Sequence, residues 1–142
     1  MEWSEALSIG IPEIDEQHKL LLDCINRLEE ASTEEHRNLA VYFAIDRMED
    51  YAQVHFAVEE ILMRLLDYPG LGPHKGAHRV FIGEVERLKS EELTHDAHLK
   101  ITAFLRDWWN HHILTLDRQY ADYMLAKPWR AGPGGEAKRV AD

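Results

Sequence analysis

The sequence predicts an all-α protein, an antiparallel up-down-up-down four-helix bundle with an irregular N-terminal arm. Apolar residues recur with helical spacing through most of the chain, and no run alternates convincingly as a strand would. Proline and glycine cluster at Gly10 to Pro12, Pro69 to Pro73 and Gly132 to Gly135. The helical stretches are joined by short connections, which favours antiparallel neighbours.

The first helix is expected from about Pro12 to Ala31, with Pro12 at the first helical position, where a missing N–H costs nothing. Its stripe is Ile14, Leu21, Leu22, Ile25 and Leu28, and His18 falls inside it. Ser32 then reads as an N-cap, with Glu35 completing a capping box. The second helix runs to about Leu66, with Ile45, Met48, Ala52, His55, Glu59 and Leu62 inward. Residues Asp67 to Gly72 read as a loop. The third helix, about Pro73 to Lys89, carries His74, His78, Phe81, Val85 and Leu88 on one face. A polar linker, Ser90 to His95, precedes the fourth, about Asp96 to Ala126, with the stripe Ile101, Leu105, Trp108, His112, Tyr120 and Met124. The bundle is thus expected over residues 1–126, with Trp3 anchoring the arm, and a flexible tail over 127–142.

Composition narrows the function. The chain has 142 residues, which suits one domain. Sixteen lysines and arginines against 26 acids give a formal net charge of −10, which works against nucleic-acid or acidic-membrane binding. A single cysteine, Cys24, excludes an internal disulfide or a cysteine-based zinc site. With no membrane span and no secretory signal in view, a cytoplasmic location is expected.

The nine histidines carry the chemistry. Each predicted helix places metal-competent side chains on or beside its apolar stripe: His18; His55 and Glu59; His74 and His78; His112 and Asp117. A buried carboxylate is costly unless paired or bound to metal, and bundle interiors are where facing helices assemble such centres. His55 with Glu59 and His74 with His78 are spaced i, i+4, so each pair shares a face. A chance pair of surface histidines would account for one such spacing, but here it would have to recur on every apolar face. His112 to Asp117 is i, i+5, about 140° apart on a regular helix. Either Asp117 reaches round or the helix carries a π-bulge there. Imidazoles and carboxylates without thiolate suit iron, zinc, copper or manganese. Seven ligands exceed one ion, so two ions bridged by the two carboxylates are expected.

Four stretches stand out together: Gly10-Ile11-Pro12-Glu13-Ile14-Asp15-Glu16-Gln17-His18; His55-Phe56-x-x-Glu59-Glu60-x-x-Met63; Tyr68-Pro69 leading to His74-x-x-x-His78-x-x-Phe81; and Trp108-x-x-x-His112-Ile113-x-x-x-Asp117-x-x-Tyr120. They resemble the hemerythrins, specifically the single-domain bacterial ones. The resemblance implies a non-haem di-iron centre. One iron would take His74, His78 and His112, the other His18 and His55. Glu59, Asp117 and an oxo or hydroxo group would bridge them. The second iron then has one ligand fewer, so dioxygen, or azide and similar small anions in the oxidised form, would bind there. The family's pocket positions fall on Leu21, Phe56, Trp108, Trp109 and Ile113. Trp109 departs from the family, which usually has leucine after the tryptophan.

Other polar residues read as bland. His111 should point about 100° away from His112, and His36, His95 and His98 are expected to be solvated. Glu60 is expected to face solvent, with support of a neighbouring ligand as the alternative, and Asp15 and Gln17 either tether His18 or cap the helix. The function implied by the resemblance is reversible dioxygen binding for storage, transport or delivery, without enzymatic turnover, with an oxygen-requiring enzyme as a candidate recipient. The alternatives are an oxygen or redox sensor, for which the tail is too short to add a signalling domain, and a di-iron peroxidase or nitric-oxide-processing enzyme. The sequence offers no dedicated proton donor beside the open position, which counts against the enzyme.

Overall fold

A computed structural model describes residues 1–92 and 94–126, together with the backbone of 129–130 and 137–138. Four helices dominate. α1 is Pro12–Glu30. α2 covers 34–65 and consists of Glu34–Asp50, a π-helical segment Tyr51–His55, and Phe56–Leu65. α3 is Leu71–Ser90. α4 covers 95–126, again interrupted, as His95–Asp107, a π-helical segment Trp108–Asp117, and Arg118–Ala126. α1 packs on α2 and α4, and α3 packs on α2. No helix among the described residues is long and apolar enough to cross a membrane.

The predicted stripes of α1, α3 and α4 are buried as expected. The stripe of α2 is buried only in part: Met48, His55 and Glu59 are buried as expected. Ala44, Tyr51 and Met63 are buried, while Ile45, Ala52 and Leu62 are only half-buried. The wide turn Tyr51–His55 absorbs about one extra residue, so apolar positions on its two sides are out of phase and a straight count misses them. In α4 the i→i+5 repeat of Trp108–Asp117 resolves the spacing problem: it carries Asp117 onto the face of His112.

Helix ends differ from the sequence reading by a residue or two. The cap of α2 is Thr33, not Ser32; its backbone is extended and its hydroxyl accepts from His36 N at 3.1 Å. Two adjacent hydroxyls could each cap, and the backbone turn decides between them. Thr94 caps α4 by accepting from Ala97 N at 3.1 Å. α3 starts at Leu71 and carries Pro73 within its first turn, where the absent N–H has no helical partner to lose.

The N-terminal arm includes a 3-10 turn, Glu5–Leu7, and buries Ile9 and Ile11. Asp15 ties it down, accepting from Ser8 Oγ at 2.5 Å and from Ile9 N at 2.9 Å. Gly10 between them has φ +86°, which favours glycine, and a Cβ there would stand 2.8 Å from Leu125 Cδ1. Trp3 packs against the main core, with Lys19 Nζ 5.0 Å from its ring centre. The tail expected over 127–142 lies outside the described residues, save for an antiparallel pairing of β1 (Trp129–Arg130) with β2 (Ala137–Lys138). The sequence reading expected no strand, and a two-residue ladder is too short to leave an alternating pattern.

Candidate metal centre

The bundle brings the seven singled-out side chains to one place. α1 contributes His18, α2 His55 and Glu59, α3 His74 and His78, and α4 His112 and Asp117, and all seven are buried. Their ligand atoms form two overlapping sets, each within 4.8 Å of one another: Glu59, His74, His78, His112 and Asp117, and His18, His55, Glu59 and Asp117. The two carboxylates belong to both.

Asp117 Oδ1 lies 2.9 Å from His74 Nε2 and 3.1 Å from His112 Nε2, and its Oδ2 lies 3.0 Å from His18 Nε2. Glu59 Oε1 lies 3.2 Å from His55 Nε2 and 3.3 Å from His78 Nε2. Most of these approaches lack hydrogen-bond alignment: Nε2 of His55, His74, His78 and His112, Glu59 Oε1 and Asp117 Oδ1 are all buried without a hydrogen-bond partner. Buried polar atoms are normally satisfied. Six orphaned atoms turned toward one spot are what a pair of cations would satisfy, so the donor set fits a two-metal centre.

Outer groups aim two of the rings. His55 Nδ1 donates to Gln17 Oε1, and His78 Nδ1 donates to Glu60 Oε2 at 2.8 Å, which leaves each Nε2 lone pair facing inward. Of the two positions open to Glu60, the structure takes the supporting one: its side chain, only 25% exposed, folds back onto His78. Gln17 serves His55 rather than His18, and Asp15 serves the arm. The Tyr120 hydroxyl donates to Glu59 Oε2 at 2.5 Å.

Electrostatics follow from this crowding. Burial pushes the Glu59 carboxyl up, and so does Asp117, but His55 and His78 outweigh both and hold it at about 2. Burial likewise opposes ionisation of Asp117, yet His112, His18 and His74 hold it well below the usual carboxylate range. Burial pushes the His112 imidazolium toward its neutral form, against the pull of Asp117. His78 goes the other way, because Glu59 and Glu60 overcome its burial. Both carboxyl groups are thus favoured in their ionised form, the form that binds a cation.

Leu21, Phe56, Trp108, Trp109 and Ile113, the residues expected to line a ligand pocket, are all buried in the main core. Phe56 stacks on His78 and Trp108 stacks on His112, each with ring centres 3.8 Å apart. Trp109 stands edge-on to His18 at 6.1 Å. Leu21 and Ile113 are closed off from solvent within the same cluster.

A model of the hemerythrin HHE cation binding domain matches residues 9–123. The chain belongs to the hemerythrin family. Among its relatives, the bacteriohemerythrin of Stenotrophomonas maltophilia is 37% identical over 125 residues, covering 87% of this chain and 81% of that one. The bacteriohemerythrin of Pseudomonas aeruginosa is 34% identical over 122 residues, covering 84% and 78%. A crystal structure of a hemerythrin carrying a leucine-to-tyrosine substitution superposes with a TM-score of 0.65 at 26% identity, over 86% of this chain and 95% of that one.

Within this hemerythrin bundle, His111 is exposed and pairs with Asp107, as its register predicts. His36 and His95 are exposed too. His98 is a correction: it is buried and its Nε2 donates to Leu28 O at 2.7 Å, because the first turn of α4 packs against the end of α1. Tyr51 is the residue that sequence reasoning missed. It is buried, and its ring stacks on His55 at 4.3 Å. Its i, i+4 spacing to His55 was the available signal. Beside it, a cleft of about 280 Å³ is lined by Gln17, Leu20, Arg47, Asp50, Tyr51, Val54 and His55.

Proposed function

We propose that this chain binds dioxygen reversibly at a non-haem di-iron centre, for storage, transport or delivery, and is not an enzyme. The observation that supports this most is the overlap of two donor sets that share Glu59 and Asp117 but differ in imidazoles, three against two. His74, His78 and His112 would hold one iron, and His18 and His55 the other. Glu59 and Asp117 would bridge both, together with a solvent-derived oxo or hydroxo group. When bound, such an iron pair supplies two electrons and, on the two-histidine side, an open coordination position for dioxygen.

The protein's own part is to shape and dry that position. Phe56, Trp108, Leu21 and Ile113 surround the imidazoles with apolar surface and exclude water. Gln17 and Glu60 hold protons on the outer nitrogens of His55 and His78, so that the inner lone pairs stay available. Tyr120 fixes the outer oxygen of Glu59 and leaves the inner one free.

Purified protein should contain about two irons per chain and, once oxidised, show an azide-dependent charge-transfer band. A single zinc, or no metal after growth in iron-replete medium, would overturn the reading. Stopped-flow absorbance after mixing the reduced protein with dioxygen then separates carriage from its alternatives: a long-lived oxygenated form is expected, whereas rapid decay without added substrate means catalysis or sensing.

A further inference from the structure

Polar groups are distributed unevenly around the centre. Beside His74, His78 and His112 the flanking aromatic side chains are apolar or already engaged. Phe56 lies flat on His78. The indole N–H of Trp108 points to the Tyr51 hydroxyl at 3.5 Å, and the Tyr120 hydroxyl is given to Glu59. Beside His18 and His55, donors are left over. Trp109 is 1% exposed, lies against His18, and its Nε1–H has no partner among the described residues. Tyr51, stacked on His55 and 6.5 Å from His18 by ring centres, accepts from Trp108. Its own hydroxyl hydrogen has no acceptor among the described residues.

A buried donor without an acceptor is costly and normally has a reason. Here the reason is local. Both spare donors sit on π-helical segments, Trp109 on Trp108–Asp117 and Tyr51 on Tyr51–His55. Such segments are rare in helices and frequent at functional sites. Both also border the half with fewer imidazoles.

We propose that Trp109 Nε1–H, supported by the Tyr51 hydroxyl, is a hydrogen-bond donor for a small anionic ligand of the azide class held on the His18/His55 half, so that Trp109 sets which ligands stay there. This rests on the di-iron reading above. An indole donor favours ligands with accessible lone pairs and negative charge over neutral ones of the same size. A leucine at this position would offer bulk without a donor.

Two measurements test it. In the metal-free chain labelled with ¹⁵N-tryptophan, the Trp109 indole resonance, assigned by its loss in Trp109→Phe, should show the upfield N–H shift of an unbonded indole. A downfield, hydrogen-bonded shift would mean that the fold already satisfies this donor, and overturns the proposal. In the iron-loaded chain, Trp109→Phe should weaken azide binding about five- to tenfold through a faster off-rate, and Tyr51→Phe should weaken it by a smaller factor. A tryptophan that only gates access would change on- and off-rates by one common factor and leave Kd unchanged, which also overturns the proposal. Wild-type protein that takes up no iron overturns the di-iron reading and this inference together. Normal iron with an unchanged azide Kd in Trp109→Phe overturns this inference alone.

Discussion

The two halves of the centre are built differently from the same materials. Around His74, His78 and His112, three imidazoles come from two helices. Two of them are an i, i+4 pair on α3, and the rings are sandwiched by Phe56 and Trp108. Around His18 and His55, two imidazoles come from two helices and are bordered by Tyr51 and Trp109, which retain unused donors. One half has three imidazoles flanked by aromatic faces, and the other has two imidazoles and unused hydrogen-bond donors beside them. The difference teaches where a ligand belongs. On the proposed di-iron reading, the smaller imidazole set and the spare donors fall on the same side, although the first is set by histidine spacing and the second by aromatic residues on wide helical turns.

The largest expected effect joins the halves. Glu59→Ala should reduce iron from about two per chain toward none, because its carboxylate belongs to both donor sets. His74→Ala or His112→Ala should remove the iron of one half and His18→Ala or His55→Ala that of the other, each leaving about one, while His111→Ala leaves the content unchanged. Metal analysis of the purified variants checks this. Retention of one iron by Glu59→Ala would show that the halves do not share it.

A middle-sized effect separates them through their outer tethers. Gln17→Leu should weaken iron retention by the His18/His55 half, and Glu60→Leu by the half containing His78, each by roughly 10- to 100-fold. Chelator-competition titrations would read two affinities per variant, only one of them shifted. If either variant shifts both, the tethers act on the whole bundle and the contrast between halves is weaker than drawn here.

The smallest effect concerns stability of the metal-free chain. Tyr120→Phe leaves Glu59 Oε2 buried without its donor and should cost about 1–3 kcal/mol in urea unfolding. Tyr51→Phe loses only a long contact from Trp108 and should cost less than about 1 kcal/mol. Equal losses would mean that the Tyr51 hydroxyl is as firmly engaged as that of Tyr120, and would remove one of the two spare donors.

The sequence by itself determined the helical architecture, because the apolar stripes of α1, α3 and α4 repeat at helical spacing and their burial follows. It also determined which seven polar side chains would converge, because each stood on or next to an apolar face where solvation is lost. Even the wide turn at Trp108–Asp117 was legible as one of two ways to reconcile His112 with Asp117. The second wide turn, Tyr51–His55, was not, since no pair of polar residues spans it to reveal the change of phase; Tyr51 and Met63 were therefore missed on the inner face of α2. Only the tertiary structure decided that Gln17 serves His55, that Glu60 turns back to His78, that His98 is buried against Leu28 O and that Trp109 faces inward with its N–H unmet. Periodicity ranks positions around one helix. Which partner a side chain finds across the bundle depends on how neighbouring helices are rotated and staggered, and that is settled only when their faces pack.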